Sequence, residues 1–110
     1  MPYVSINITK KLSDAEKNTL QEAVTNAITV IPDKTPEHTT VCITDGCAFY
    51  KNCKPQEVGG FVDVRLFKNS PKESKVEYSK KLFGIFEEQL GMPKENLHVN
   101  YLEIFDWGAN

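Results

Sequence analysis

Residue 2 is the first position in the chain that can do chemistry. Met1 precedes the small residue Pro2, and an initiator methionine in that setting is normally removed, leaving proline as the amino terminus. A terminal proline is a secondary amine, more basic and more nucleophilic than an ordinary α-amine. Its ring holds it rigid at the head of a strand, where most termini move freely. Such an amine can take up a proton and give it back. The plainer role for Pro2 is to begin an edge strand, where no N–H is required. Other reactive side chains are few. His98 and Asn100 stand two apart in a strand-like run and so project from one face, either lining a pocket or wetting the sheet. Cys42, Cys47 and Cys53 are odd in number and lack zinc-type spacing, so neither a disulfide framework nor a metal site is expected. They read as small hydrophobes or surface thiols. Glu16, Glu73 and the Glu87-Glu88 pair have helical explanations and are assigned no catalysis.

The elements that must position these residues follow from periodicity. Ser13-Asp14-Ala15-Glu16 reads as a capping box, and Leu20, Ala23, Val24, Ala27, Ile28 and Ile31 then form one apolar stripe that ends at Pro32. Ser70-Pro71-Lys72-Glu73 reads as a second capping box, with proline in the first turn. Its stripe runs through Val76 or Tyr78, Leu82, Phe83, Ile85, Phe86 and Leu90, and Gly91 and Pro93 close it. Strand-like alternation brackets both helices, over 3–8, 39–44, 61–67 and 97–104. The order is strand–helix–strand twice, and a right-handed crossover makes each pair parallel. The expectation is an α+β domain with two βαβ units forming a four-stranded mixed sheet and both helices on one face. The opposite face carries Tyr3, Ser5, Asn7, Thr40, Cys42, Asp63, Arg65, His98 and Asn100. It is too mixed for a second core, and a domain of this size leaves much surface to cover, so self-association is expected.

Composition narrows the class. The chain has 110 residues, 40 % of them apolar, with 13 basic and 15 acidic side chains, which suits one domain spanning 1–110. That balance excludes nucleic-acid binding by bulk charge and gives no attraction to anionic membranes. No apolar run reaches the ~18 residues of a membrane span, and the start lacks the pattern of a secretory signal. A soluble, cytoplasmic protein is expected.

Met1-Pro2-Tyr3-Val4-Ser5-Ile6-Asn7-Ile8 opens the chain, and Lys34 follows the first helix. Tyr78-Ser79-Lys80-Lys81-Leu82-Phe83-Gly84 lies in the second helix, Leu97-His98-Val99-Asn100-Tyr101 in the last strand, and Asp106-Trp107-Gly108-Ala109-Asn110 ends the chain. In this order and spacing the set resembles the macrophage migration inhibitory factor branch of the tautomerase superfamily, especially bacterial members similar to phenylpyruvate tautomerase. The resemblance spans essentially the whole chain. It implies a homotrimer with active sites between neighbouring subunits, and cofactor-independent keto–enol tautomerisation of α-keto acids such as phenylpyruvate. It makes Pro2 the base and Lys34 the holder of the substrate carboxylate. It gives a supporting backbone amide to Leu66 or Phe67, and places Asn100 in the site. His98 stands where the family has a tyrosine, which alters one pocket wall. Phe61-Val62-Asp63-Val64 replaces the family's CxxC, so a thiol-oxidoreductase activity has no support. Trp107 reads as pocket rim or interface, as do Phe49 and Tyr50. Eukaryotic relatives also act as cytokine-like ligands, so a binding or signalling role is the alternative. The same likeness leaves export without a signal peptide open.

The chemistry has its own requirement. A base for keto–enol exchange must be neutral near pH 7, yet an α-amine titrates at ~7.7–8 and a proline amine higher. Burial and a nearby cation both lower it. With Lys34 at about 6 Å and an effective dielectric of about 20, the repulsion is about 3 kcal/mol, enough to bring the amine near neutrality.

Overall fold

The computed structural model describes residues 1–109. Strand β1 (Tyr3–Ile8) leads into helix α1 (Asp14–Asn26), and β2 (Thr40–Thr44) returns beside β1. Strand β3 (Phe49–Lys51) and strand β4 (Lys54–Gln56) form a separate hairpin. Strand β5 (Gly60–Phe67), helix α2 (Lys72–Leu90) and strand β6 (Leu97–Ile104) complete the second unit. The main sheet has the order β2-β1-β5-β6. β1 pairs parallel with β2 and β5 parallel with β6, while β1 meets β5 antiparallel, with Tyr3 opposite Arg65 and Ile8 opposite Gly60. The α+β architecture expected from periodicity is the one observed. β1 lies inside the sheet rather than at its edge, and Pro2 sits one residue before its first paired position.

Alternation decides the two faces. Val4, Ile6, Ile8, Val62, Val64 and Leu66 are fully buried under the helices. Leu20, Val24 and Ile28 come down from α1 and its 3₁₀ continuation over Ala27–Val30, and Tyr78, Leu82 and Phe86 come from α2. Tyr78 is the inward residue of the second stripe, and Val76 is left 45 % exposed. The Tyr78 hydroxyl donates to the Val24 carbonyl at 2.9 Å, so a polar atom brought into the core ties α2 to α1. Burial pushes the Tyr78 phenol far above its ordinary pKa, keeping it protonated as a donor.

The helix starts divide. At α1 the Ser13 hydroxyl accepts from the Glu16 N–H at 3.1 Å, and the Glu16 carboxylate accepts from the Ser13 N–H at 2.9 Å. The capping box there is complete. The one expected at α2 does not form: Pro71 is the capping position and makes no side-chain cap bond. Ser70 instead offers its N–H to the Glu103 carboxylate at 2.7 Å, and Lys75 binds the same oxygen at 3.0 Å. A carboxylate from the outer strand β6 thus replaces the local serine. At the far end Gly91 adopts φ +63° and donates its N–H to Glu87 O, the left-handed stop that glycine makes without strain.

Periodicity predicts no strand over the β3–β4 hairpin. Asn52 and Cys53 link it at φ 53° and 62°, a two-residue turn with both central residues left-handed. Neither is glycine, and Pro55 argues against a strand, so its local signal is weak.

Two predictions follow from the caps. Ser13→Ala lowers unfolding free energy by about 1 kcal/mol, whereas Ser70→Ala changes it by less than about 0.5 kcal/mol, because only its backbone is used; urea denaturation of both variants checks the contrast. The bonds from Ser70 and Lys75 hold the Glu103 carboxyl below its ordinary pKa. Its contribution is therefore full above the unfolded carboxylate pKa and is lost as pH falls through the folded value. Glu103→Gln costs about 1 kcal/mol at pH 7, and the difference from wild type closes in acid, as read by denaturation at pH 7 and pH 3.

Candidate active site

The site is built at one end of the β1–β5 seam. Pro2 is buried, and its carbonyl accepts the Thr40 N–H at 3.1 Å, which fixes the start of β1 against β2. Continuing the Tyr3–Arg65 register by two places sets residue 2 beside Leu66 and residue 1 beside Phe67. Lys34 reaches the same level from the other side of the chain. After the 3₁₀ turn and Pro32, Asp33 takes a left-handed φ of 66°, and the Lys34 N–H donates to Ile31 O at 3.2 Å. The Lys34 ammonium then donates to the Phe67 carbonyl at 3.0 Å. Lys68 follows, also left-handed at φ 65°, and its N–H donates to Ile104 O. Two non-glycine residues in this sparsely occupied region flank the same spot, a pattern that accompanies sites held in fixed geometry.

A cavity of about 350 Å³ opens here, within the range of small-molecule sites. Met1, Pro2, Tyr3, Arg65, Ile104 and Trp107 are among its walls. Trp107 is half-buried. The terminal amine, carried by Met1 in the chain as described, is held below its ordinary pKa, first by burial and second by repulsion from the Lys34 ammonium.

The expected site residues fall into two groups. Pro2 and Trp107 line the cavity, while Lys34 and Phe67 are bonded to each other beside it at the end of β5. Asn100 and His98 are elsewhere within one chain. Asn100 pairs with Asp63, four residues before Ile104 on β6 and so about 13 Å from the cavity end. His98 lies further down, stacked on Phe61 with ring centres 5.9 Å apart. Both are on the helix-free face, together with Tyr3, Ser5, Asp63 and Arg65.

Alternation places Arg65 only on the polar face, and the structure sets it at the border of the cavity. Its guanidinium carbon is 5.5 Å from the centre of the Tyr3 ring. The available signal was its place two residues before Phe67 on an alternating strand, but only the antiparallel register brings it beside residue 3.

No protein family and no curated relative matches the chain by sequence. Solved structures do match by shape. MIF2 of Leishmania major has a TM-score of 0.89 at 15 % identity, over 100 % of this chain and 94 % of that one. A trimer of wild-type fused 4-OT gives 0.88 at 16 % identity, over 97 % and 91 %. Pt0534, solved after inactivation by 2-oxo-3-pentynoate, gives 0.87 at 19 % identity, over 97 % and 91 %. Two βαβ units, their antiparallel seam and the end-to-end overlap with these structures agree, and the chain has the tautomerase-superfamily fold that its sequence resemblance implies.

Proposed function

We propose that the chain is a cofactor-independent keto–enol tautomerase of α-keto acids such as phenylpyruvate, with Pro2 as its base once Met1 is removed. The observation behind this reading is the burial of Pro2 at the wall of the cavity, next to a Met1 amine that desolvation and then Lys34 hold below its ordinary pKa. In the enolising direction the neutral proline nitrogen takes a proton from the carbon beside the carbonyl and returns it to the carbonyl oxygen. Ketonisation runs the same transfer backwards. Electrons shift within the substrate and no co-reactant is consumed. Lys34, held at the Phe67 carbonyl, meets the substrate carboxylate, and a backbone amide at Leu66 or Phe67 assists it.

The assembly belongs to the same reading. Phe61 and Leu102 remain 39 % and 43 % exposed on the helix-free face. Three copies with these faces turned inward cover them, as in a trimer. A neighbouring copy then supplies Asn100 and His98, which a single chain leaves far from Pro2. The fused 4-OT structure is itself a trimer, and a 2-oxo compound inactivates Pt0534. Both support the reading by likeness of fold.

Protein whose intact mass shows loss of Met1 ketonises the enol of phenylpyruvate, followed by ultraviolet absorbance. Pro2→Gly slows this by at least about 100-fold; equal turnover by the two proteins removes Pro2 as the base. A mass that retains Met1 caps the amine and favours the cytokine-like binding role. Lys34→Ala raises KM by about tenfold or more through loss of the carboxylate contact. It also removes repulsion from the amine, so the acid limb of the kcat/KM profile moves to higher pH. An unmoved limb with unchanged KM excludes Lys34 from the site.

A further inference from the structure

The outer face of α2 carries a charge pattern that reverses sign about one glycine. Lys80-Lys81-Leu82-Phe83-Gly84-Ile85-Phe86-Glu87-Glu88 sets two cations before Gly84 and two anions after it at matching spacings. Leu82 and Phe86 are buried in the core, whereas both lysines, Gly84 and both glutamates are exposed. Gly84 separates two grooves. One, of about 570 Å³, has Ala27, Val30 and Ile85 as apolar lining and carries Lys81 and Glu88. The other, of about 390 Å³, is lined by Phe83 and carries Lys80, Glu87 and, past the helix end, Lys94. The ion pairs among the described residues are Lys17–Asp45 and Lys75–Glu103, so none of these charges is in one.

The glycine has no purpose within one chain. It stands in a helix interior, where it is weaker than alanine, and a Cβ built on it meets nothing within 4 Å. A second helix crossing at Gly84 supplies the missing reason, because the side chains at a crossing set how closely two helices approach. The charges select that helix. A copy of α2 laid across it end for end brings Lys80 of each copy to Glu87 of the other, and Lys81 to Glu88. Glu77, also exposed, and Lys94 extend the same reversal outwards. A parallel copy sets like charges together. The face therefore complements itself only through a two-fold axis at Gly84.

We propose that this face of α2 is a self-recognition surface, through which two copies of the chain pair antiparallel with their helices crossing at Gly84. The contact uses the helical layer, opposite to the face assigned to the trimer, and does not depend on the trimer. Where trimers form, it joins one trimer to another.

Sedimentation velocity of the full chain at about 100 μM in low salt, where surface charges are least screened, tests this. Wild type sediments at no less than twice the mass of its basic unit, one chain or three, and added salt weakens the pairing. The double variants Lys80→Glu with Lys81→Glu, and Glu87→Lys with Glu88→Lys, give the basic unit alone, because like charges then meet across the axis. An equimolar mixture of the two regains the wild-type mass, as does the chain carrying all four reversals. Gly84→Gln weakens pairing by about tenfold or more while raising the thermal midpoint of unfolding. Wild type at the mass of the double variants overturns the proposal. So does a mixture that stays at the basic unit while both variants keep the wild-type circular dichroism. Should a double variant unfold, pairing undiminished in Gly84→Gln overturns it. A basic unit of one chain removes the trimer and leaves the helix pairing standing.

Discussion

The antiparallel pairing of β1 with β5 is the constraint on which the molecule depends. Each βαβ unit closes its own parallel pair, but neither has a site alone. The seam joins them into one sheet and sets Tyr3 opposite Arg65. Because side chains alternate, a slip of one residue would turn Val4, Ile6, Val62 and Val64 away from the helices and expose the core. Burial therefore enforces the register strongly. The same register carries the chain's start to the end of β5. The position of Pro2 is thus a by-product of core packing, and needs no contact of its own to specify it.

At that end the electrostatics run against ordinary preference. Like charges gather where the amino terminus lies, with Lys34, Arg65 and Lys68 all close to Phe67 or Tyr3. Left to itself such a cluster would spread into solvent. One backbone carbonyl and two ring contacts hold it, and Asp33 and Lys68 take a left-handed backbone beside it. The cost of that arrangement is met by the core beneath, where Val4, Val64 and Leu66 are fully buried. A site that lowers an amine's proton affinity is necessarily one the fold must support from elsewhere.

Much of this was legible in the residues. Alternation in 3–8 and 97–104 gave strand limits that match β1 and β6, and Gly91 ended its helix as expected. These signals are local, so one chain suffices to read them. The α2 cap departs from the local pattern because Ser70-Pro71-Lys72-Glu73 fits a capping box while Glu103, thirty-three residues away, outcompetes it. The hairpin at Phe49–Gln56 carries little local signal because its turn uses Asn52 and Cys53 in place of glycine. Of the candidate site residues, Pro2 stands out by the chemistry of a terminal proline, and Lys34 and Phe67 by the family resemblance; register brings the chain's start to the end of β5, and the Lys34–Phe67 bond brings Lys34 there. The place of Arg65 at the cavity is not legible in the sequence, because strand alternation names a face and cannot say which neighbour stands across it. Asn100 and His98 were grouped with Pro2 by the same resemblance, yet they lie far down β6. No intrachain periodicity carries information about a neighbouring subunit.

The carboxylate of Glu103 has a consequence for how the protein opens. It fastens the first turn of α2 and the loop before it to the outermost strand, and Tyr101, two residues earlier, adds a bond from its hydroxyl to the Lys75 carbonyl at 2.7 Å. An edge strand ordinarily frays first, exchanging its amide protons while the interior stays closed. Here β6 cannot peel away without releasing the head of the helix that covers the core. The two exchange as one cooperative unit, and the border of the sheet inherits the slow breathing of its centre.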